Sequence, residues 1–249
     1  MKKAIPLLFL LLGCGPGKEK AKNSSDSTAT NPGAEKVVRS YYAGGKTKAE
    51  ITMKNGMKNG IARTFDRDGS LILEISYVNN KREGTSKKYY AGGQVLAQTT
   101  EYKDDEIDGI QTRYRVNGDL MSEARYEKGF PCADLKEYLE NKALKKKYPT
   151  INVKVEDHIS TTGVYKLKVS LSEKVRSVKF YKGRLSPTGC VTDKLYYLLM
   201  DEATKVAEVS YHLPPGGFVM EEVNIIAVYE TLMGNTAISQ RKYNVAIDN

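Results

Sequence analysis

Glycines recur along the first half of the chain at a period that unrelated loops would not keep. Gly45, Gly69, Gly93 and Gly118 are 24, 24 and 25 residues apart, and an aromatic stands four residues before each, at Tyr41, Phe65, Tyr89 and Tyr114. A second glycine column, Gly60, Gly84 and Gly109, lies five residues before the last three aromatics. A third column reads Met53, Tyr77, Tyr102 and Tyr126, with a carboxylate three residues ahead of it at Glu50, Glu74 and Glu123 and Thr99 as the exception. Self-similarity at this period predicts an array of identical units, so this part of the chain is a surface rather than a pocket.

Each unit reads as two strands and two turns. From Gly60, residues Ile61 to Phe65 form one strand, Asp66-Arg67-Asp68-Gly69 a turn, and Leu71 to Tyr77 a second strand that returns through Asn79-Asn80 to Gly84. Asp, Asn and Gly at these offsets suit turns that need positive φ. Period-2 alternation puts Leu71, Leu73, Ile75 and Tyr77 on one face, and stacking of the units is expected to join such residues into an apolar seam with a tyrosine edge.

The units GIARTFDRDGSLILEISYVNNKREG and GTSKKYYAGGQVLAQTTEYKDDEIDG resemble MORN-variant repeats, which occur in bacterial lipoproteins and in YwqK-type antitoxins. The resemblance covers residues 37–131, with Met53 departing from the aromatic column in the first unit, and it implies a scaffold for protein contact, dimerisation or phospholipid association. Tyr77, Tyr102 and Tyr126 form a candidate surface for stacking on sugar or peptide, although tyrosines also pack across sheets for structural reasons. The glutamate column reads as a set of repeat-defining contacts rather than general acids, and Asp104-Asp105-Glu106-Asp108 reads as a solvated turn lacking the pattern of an EF-hand.

Ahead of the repeat, Lys2 and Lys3 precede the apolar run Ala4 to Leu12, which is too short to span a bilayer. The run ends in Leu11-Leu12-Gly13-Cys14, which resembles the lipobox of bacterial lipoproteins. The resemblance implies that residues 1–13 are a signal peptide cleaved between Gly13 and Cys14, and that Cys14 is lipidated. With Gly15 rather than aspartate following, and no acidic run, it further implies the outer membrane, facing the periplasm. Residues 14–36 carry almost no apolar bulk and are expected to be a flexible tether.

The formal charge is +9, or +7 once Lys2 and Lys3 are removed, and it is spread along the chain. That is not the concentrated footprint of a nucleic-acid binder. The densest basic stretch is Lys166 to Arg184; as a strand it would turn Tyr165, Leu167, Val169 and Leu171 inward and Lys166 and Lys168 outward. Those two lysines are a solvated face or, as a candidate binding surface, a dock for an anionic headgroup or glycan. Cys132 and Cys190 are candidates for a disulfide in an oxidising compartment. His158 and His212 are the only histidines, and no metal-ligand spacing is seen, so no metal and no cofactor are expected.

Residues 132–149 show Leu135, Tyr138, Leu139 and Leu144 at near-helical spacing, followed by lysines and Pro149, which predicts a helical connector or cap. Residues 150–249 change to short alternating strands, with candidates starting near Ile151, Gly163, Ser177, Lys194, Lys205, Val223 and Ala237. The ending VNIIAVYETLMGNTAISQRKYNVAI resembles the last hairpin of immunoglobulin-like or fibronectin-like sandwiches, with a Gly234-Asn235 turn and Tyr229 as a structural tyrosine. Pro214-Pro215-Gly216-Gly217 reads as a turn.

The fold expected is therefore mainly β: a MORN-like hairpin-repeat sheet, a helix and a small sandwich. The function expected is that of a non-enzymatic, lipid-anchored envelope scaffold binding a protein or glycan, of undefined oligomeric state. An antitoxin or immunity-type lipoprotein is the alternative. A glycan hydrolase ranks last, because no nucleophile–histidine pair or phosphate loop is present.

Overall fold

The computed structural model describes residues 34–249; the proposed signal peptide, Gly13, Cys14 and most of the tether lie outside the described residues. The chain from Lys36 onward is mainly β, in one long sheet and two short ones.

The long sheet is antiparallel and follows chain order. Its strands are β1 (Lys36–Tyr41), β2 (Thr47–Lys54), β3 (Met57–Phe65), β4 (Leu71–Val78), the short β5 (Lys81–Arg82), β6 (Gly84–Tyr89), β7 (Leu96–Lys103), β8 (Glu106–Tyr114), β9 (Leu120–Glu127), β10 (Phe130–Pro131) and β11 (Lys136–Glu137). β5 pairs with β4, and both β10 and β11 pair with β9. Two kinds of turn alternate. At one end of each hairpin stand Asn55-Gly56, Asn79-Asn80, Asp104-Asp105 and Lys128-Gly129, both residues at positive φ (48° to 79°). This is the two-residue turn whose twist matches that of the strands it joins. At the other end Gly45, Gly69, Gly93 and Gly118 each close a wider turn; Gly69, for example, donates its N–H to the Asp66 carbonyl at 3.1 Å.

The second glycine column is explained by register. Gly60, Gly84 and Gly109 lie directly opposite Tyr77, Tyr102 and Tyr126. At Gly109 the φ is +120°, and a Cβ would sit 2.9 Å from that of Glu101, whose carboxylate accepts the neighbouring Ile110 N–H at 2.9 Å. Only glycine fits such a bulge.

The apolar seam expected from stacking does not form an enclosed core. The units are joined edge to edge by hydrogen bonds into one layer, so Leu71, Leu73, Ile75 and Tyr77 stay half-buried, and Ala124 is the one buried apolar residue of strands β1 to β9. The sheet is held instead by its backbone ladder, its turns and its cross-strand pairs. Period-long links reinforce it: the Tyr42 hydroxyl donates to the Phe65 carbonyl at 2.8 Å, and the Tyr90 hydroxyl to the Tyr114 carbonyl at 2.7 Å.

Residues 132–149 are not a helix. Tyr138 continues the aromatic column 24 residues after Tyr114, and it bridges Leu144 as Tyr114 pairs with Leu120. Lys142 takes the turn position held by glycine in the other units, with φ +65°. Leu139 N–H donates to the Ala143 carbonyl and Lys142 N–H to the Leu139 carbonyl, both at 2.9 Å, repeating the bonds around Arg115 and Gly118. The segment is a degenerate fifth unit. Leu144 continues the column of Leu96 and Leu120, and the missing glycine concealed the turn.

After it come β12 (Ile151–His158), the single-turn helix α1 (Ile159–Thr162), β13 (Val164–Leu171), β14 (Val178–Lys182), β15 (Tyr196–Tyr197), β16 (Met200–Asp201), β17 (Val206–His212), β18 (Phe218–Glu230) and β19 (Thr236–Asp248). They form two four-stranded sheets, β12-β13-β17-β16 and β15-β14-β18-β19. This is the strand order of an immunoglobulin constant-type sandwich with one extra edge strand, β15. The hydrophobic core lies between these sheets, with Leu167, Val169, Ala207 and Val209 facing Phe180, Val223, Ile225 and Val245. Tyr229 is buried in the same core. In the Pro214–Gly217 turn, Gly216 N–H donates to the carbonyl of Asn249.

Candidate functional site: the two faces of the repeat sheet

Residues paired across strands share a face. On one face the register aligns Arg39, Glu50, Arg63, Glu74, Lys87, Thr99, Thr112, Glu123 and Lys136 in one row. The glutamate column thus has a cation column of the same period between its members. Arg39 pairs with Glu50 at 2.8 Å, Arg63 with Glu74 at 2.9 Å and Lys136 with Glu123 at 3.5 Å. Where the carboxylate gives way to Thr99, that residue stands between Lys87 on one side and the neutral Thr112 on the other. These carboxylates are structural partners of neighbouring strands. The cation column was open to reading in the sequence, since Arg39, Arg63, Lys87 and Lys136 keep the same spacing.

The opposite face carries the tyrosines. Lys58 Nζ lies 4.9 Å from the centre of the Tyr77 ring, and the Arg82 guanidinium lies 4.3 Å from that of Tyr102. These cation–π contacts occupy one face of each ring. Tyr126, the third residue of the expected surface, sits beside the sandwich: burial pushes its hydroxyl pKa up, partly offset by Thr236 and Arg113. The acidic turn is tied down as well, with Asp104 on Lys81 at 2.8 Å and Asp105 on Arg82 at 3.1 Å. Hydrogen bonds from these cations hold both carboxyls below the usual value, led in Asp105 by the backbone N–H of Arg82.

The β8–β9 end of this face is clamped to the β18–β19 turn. Arg113 Nη1 donates to the carbonyls of Met233 (2.9 Å) and Gly234 (3.2 Å) and to Asn235 Oδ1 (3.1 Å). Ser122 Oγ donates to Asn235 Oδ1 at 3.0 Å. Glu137, fully buried, accepts from Asn235 Nδ2 at 2.8 Å, from the Thr231 hydroxyl and from Lys145 Nζ at 2.8 Å. Burial alone would raise the Glu137 pKa, but the hydrogen bonds from Lys145, Thr231 and Asn235 outweigh it and hold the carboxyl below its usual value.

A second clamp lies beside the first. Cys132 and Cys190 are joined as a disulfide, and backbone bonds flank it from Ala133 N–H to the Gly189 carbonyl and from Val191 N–H to the Pro131 carbonyl. Arg125 adds a bond to the Thr188 carbonyl at 2.6 Å and an ion pair with Asp134 at 2.8 Å.

Lys166 and Lys168 point outward from β13, while Tyr165, Leu167 and Val169 are buried. They do not make a free cationic patch: both pair with Glu208, and Lys168 also approaches Glu156 at 3.8 Å. Hydrogen bonds from Lys168, Ser210 and Lys166 hold the Glu208 carboxyl down at about 2. An open cleft of about 600 Å³ borders this cluster, lined by Lys154, Leu199, Met200 and Asp201 among others. Among the described residues, no group of three or more His, Cys, Asp or Glu side chains is placed to hold a metal, and no helix is long and apolar enough to cross a membrane.

The chain is thus a single-layer hairpin-repeat sheet clamped to an immunoglobulin-like sandwich. Three consecutive segments, residues 34–55, 58–79 and 82–104, match the MORN repeat variant. The structure continues the same period through a fourth unit to Gly129 and into the incomplete fifth. No curated protein matches the chain.

Proposed function

We propose that this protein is a non-enzymatic, lipid-anchored scaffold of the bacterial cell envelope, held by Cys14 to the outer membrane and presenting its repeat sheet to another envelope component. The observation that carries this reading is the double clamp at Glu137–Asn235 and Cys132–Cys190. It joins a long two-faced sheet to a sandwich, as suits a protein that offers an extended surface rather than a pocket. A protein partner is favoured over a glycan, because Lys58 and Arg82 already occupy one face of the Tyr77 and Tyr102 rings. The Leu11-Leu12-Gly13-Cys14 motif supports the anchor, and the tether that follows would let the folded part reach away from the membrane.

Two measurements test this. Labelled fatty acid should be incorporated by the chain and not by Cys14→Ala; incorporation that survives the substitution removes the anchor from the reading. Crosslinking and pull-down from membrane fractions should recover a stoichiometric protein, and recovery of lipid alone would sink the scaffold function. A second reading, an immunity-type lipoprotein that neutralises a toxin, starts from the resemblance of the repeat units to those of YwqK-type antitoxins. That reading requires the recovered partner to be a secreted toxin and the chain to block its toxicity.

A further inference from the structure

The repeat sheet is finished at one end and unfinished at the other. At the β9 end, β10, β11 and the sandwich take up the edge. At the β1 end, β1 pairs with β2 alone among the described residues, and none of them covers its outer backbone edge. Val37, Val38 and Tyr41 on this strand are 45%, 44% and 42% exposed.

The rest of the array defines what such an edge accepts. Arg63, in the same column as Arg39, lies between two carboxylates, opposite Glu50 on one side and Glu74 on the other. Arg39 has Glu50 on one side and no strand on the other. Among the described residues, β1 is thus the first strand of a unit with no carboxylate-bearing strand ahead of it.

We propose that β1 is a docking edge for an extended segment of a partner protein, one that carries a carboxylate opposite Arg39 and β-branched or apolar residues on either side of it. The added strand would repeat the β2–β3 arrangement, in which Glu50, Ile51 and Ala49 lie opposite Arg63, Ala62 and Thr64. On β1 the same register sets the carboxylate against Arg39 and the flanking residues against Val38 and Ser40. Main-chain hydrogen bonds supply most of the affinity, and the charge pair selects the register, because a slip of one residue turns the carboxylate to the other face. A second copy of this chain is the poorer occupant. In the antiparallel register that sets its Glu35 against Arg39, its Lys36 falls opposite Val38, where the β2–β3 arrangement places an apolar residue.

The proposal rests on the scaffold reading and names the partner's chemistry at one edge. The test uses the full chain with Cys14→Ser, to keep it soluble, and a fluorescein-labelled peptide of residues 46–55. Saturable binding is expected, with amide shifts in labelled protein centred on residues 36–41. Arg39→Gln in the protein, or glutamine for the glutamate in the peptide, should each weaken binding about two- to fivefold, and the two together no more than either alone. Absence of saturable binding, shifts centred elsewhere or additive losses would overturn it, as would a concentration-dependent dimer in sedimentation that the peptide does not compete. Peptide failure alongside a membrane pull-down that still recovers a protein sinks the edge alone. A failed pull-down with the peptide cycle intact sinks the envelope scaffold instead.

Discussion

Glu137 of the repeat sheet and Asn235 of the sandwich, 98 residues apart in sequence, share a 2.8 Å hydrogen bond at the only fully buried carboxylate among the described residues. Removing the carboxylate strands Lys145 and leaves the Asn235 amide without its acceptor. Breaking a buried pair from one side is costly because the remaining charge stays desolvated. Glu137→Ala should destabilise the protein by about 3 kcal/mol, read from urea denaturation monitored in both parts of the chain. A loss near zero would mean that the junction is not coupled to folding.

The disulfide closes a chain segment of sequence separation 58, for which loop entropy gives about 4 kcal/mol. Cys132→Ala combined with Cys190→Ala should lower stability by about that amount. The double variant should also be insensitive to reductant, whereas the parent protein loses its advantage when reduced. Equal denaturation midpoints for the oxidised and reduced parent would contradict the bridge's structural role.

The charge row makes a salt-dependent prediction. Glu74 stands opposite both Arg63 and Lys87, so Glu74→Lys puts like charges on two sides. The expected loss is about 1 kcal/mol at low ionic strength, shrinking in molar salt as the row is screened. A salt-independent loss would point to packing rather than charge.

Acid should weaken the sandwich through Glu208. Its folded pKa, about 2, lies below the usual 4.5, so its pairing with Lys166 and Lys168 contributes fully above pH 4.5 and is lost as pH falls towards 2. The melting temperature of Glu208→Gln should therefore start lower at neutral pH and fall less steeply across that window. Parallel curves would show that Glu208 is not the group responsible.

Lys142 holds a left-handed conformation that glycine adopts without strain. Any substitution here also removes the 2.8 Å ion pair of Lys142 with Asp119, so the comparison is between two variants that both lack it. Lys142→Gly should be more stable than Lys142→Ala by about 1 kcal/mol, and Gly69→Ala should cost about as much in the equivalent turn. Calorimetry of the three variants gives the comparison, and a Lys142→Ala variant as stable as Lys142→Gly would refute the fifth-unit assignment.

What was legible follows from locality. The turns at Asn79-Asn80 and Gly69 announced themselves because two or three adjacent residues carry the required positive φ. The inward set Tyr165, Leu167 and Val169 followed from alternation alone. The fifth unit was missed because its turn signal is a lysine, and the leucines left behind imitate a helix. The tyrosine column was legible, but the cations that lie over Tyr77 and Tyr102, Lys58 and Arg82, come from neighbouring strands and were not.

The sequence by itself determined the repeat period, the hairpin units and most strands of the sandwich, since each depends on contacts a few residues long or on a pattern repeated at a fixed interval; the one strand expected from Lys194 is in fact β15 and β16, in different sheets. Tertiary structure alone decided that the units make one open layer rather than an enclosed core. It also decided that Glu137 meets Asn235 and Lys145, and that β1 is the edge left unpaired among the described residues. Those outcomes depend on groups brought together once, from distant parts of the chain, and a contact made once leaves no period to read.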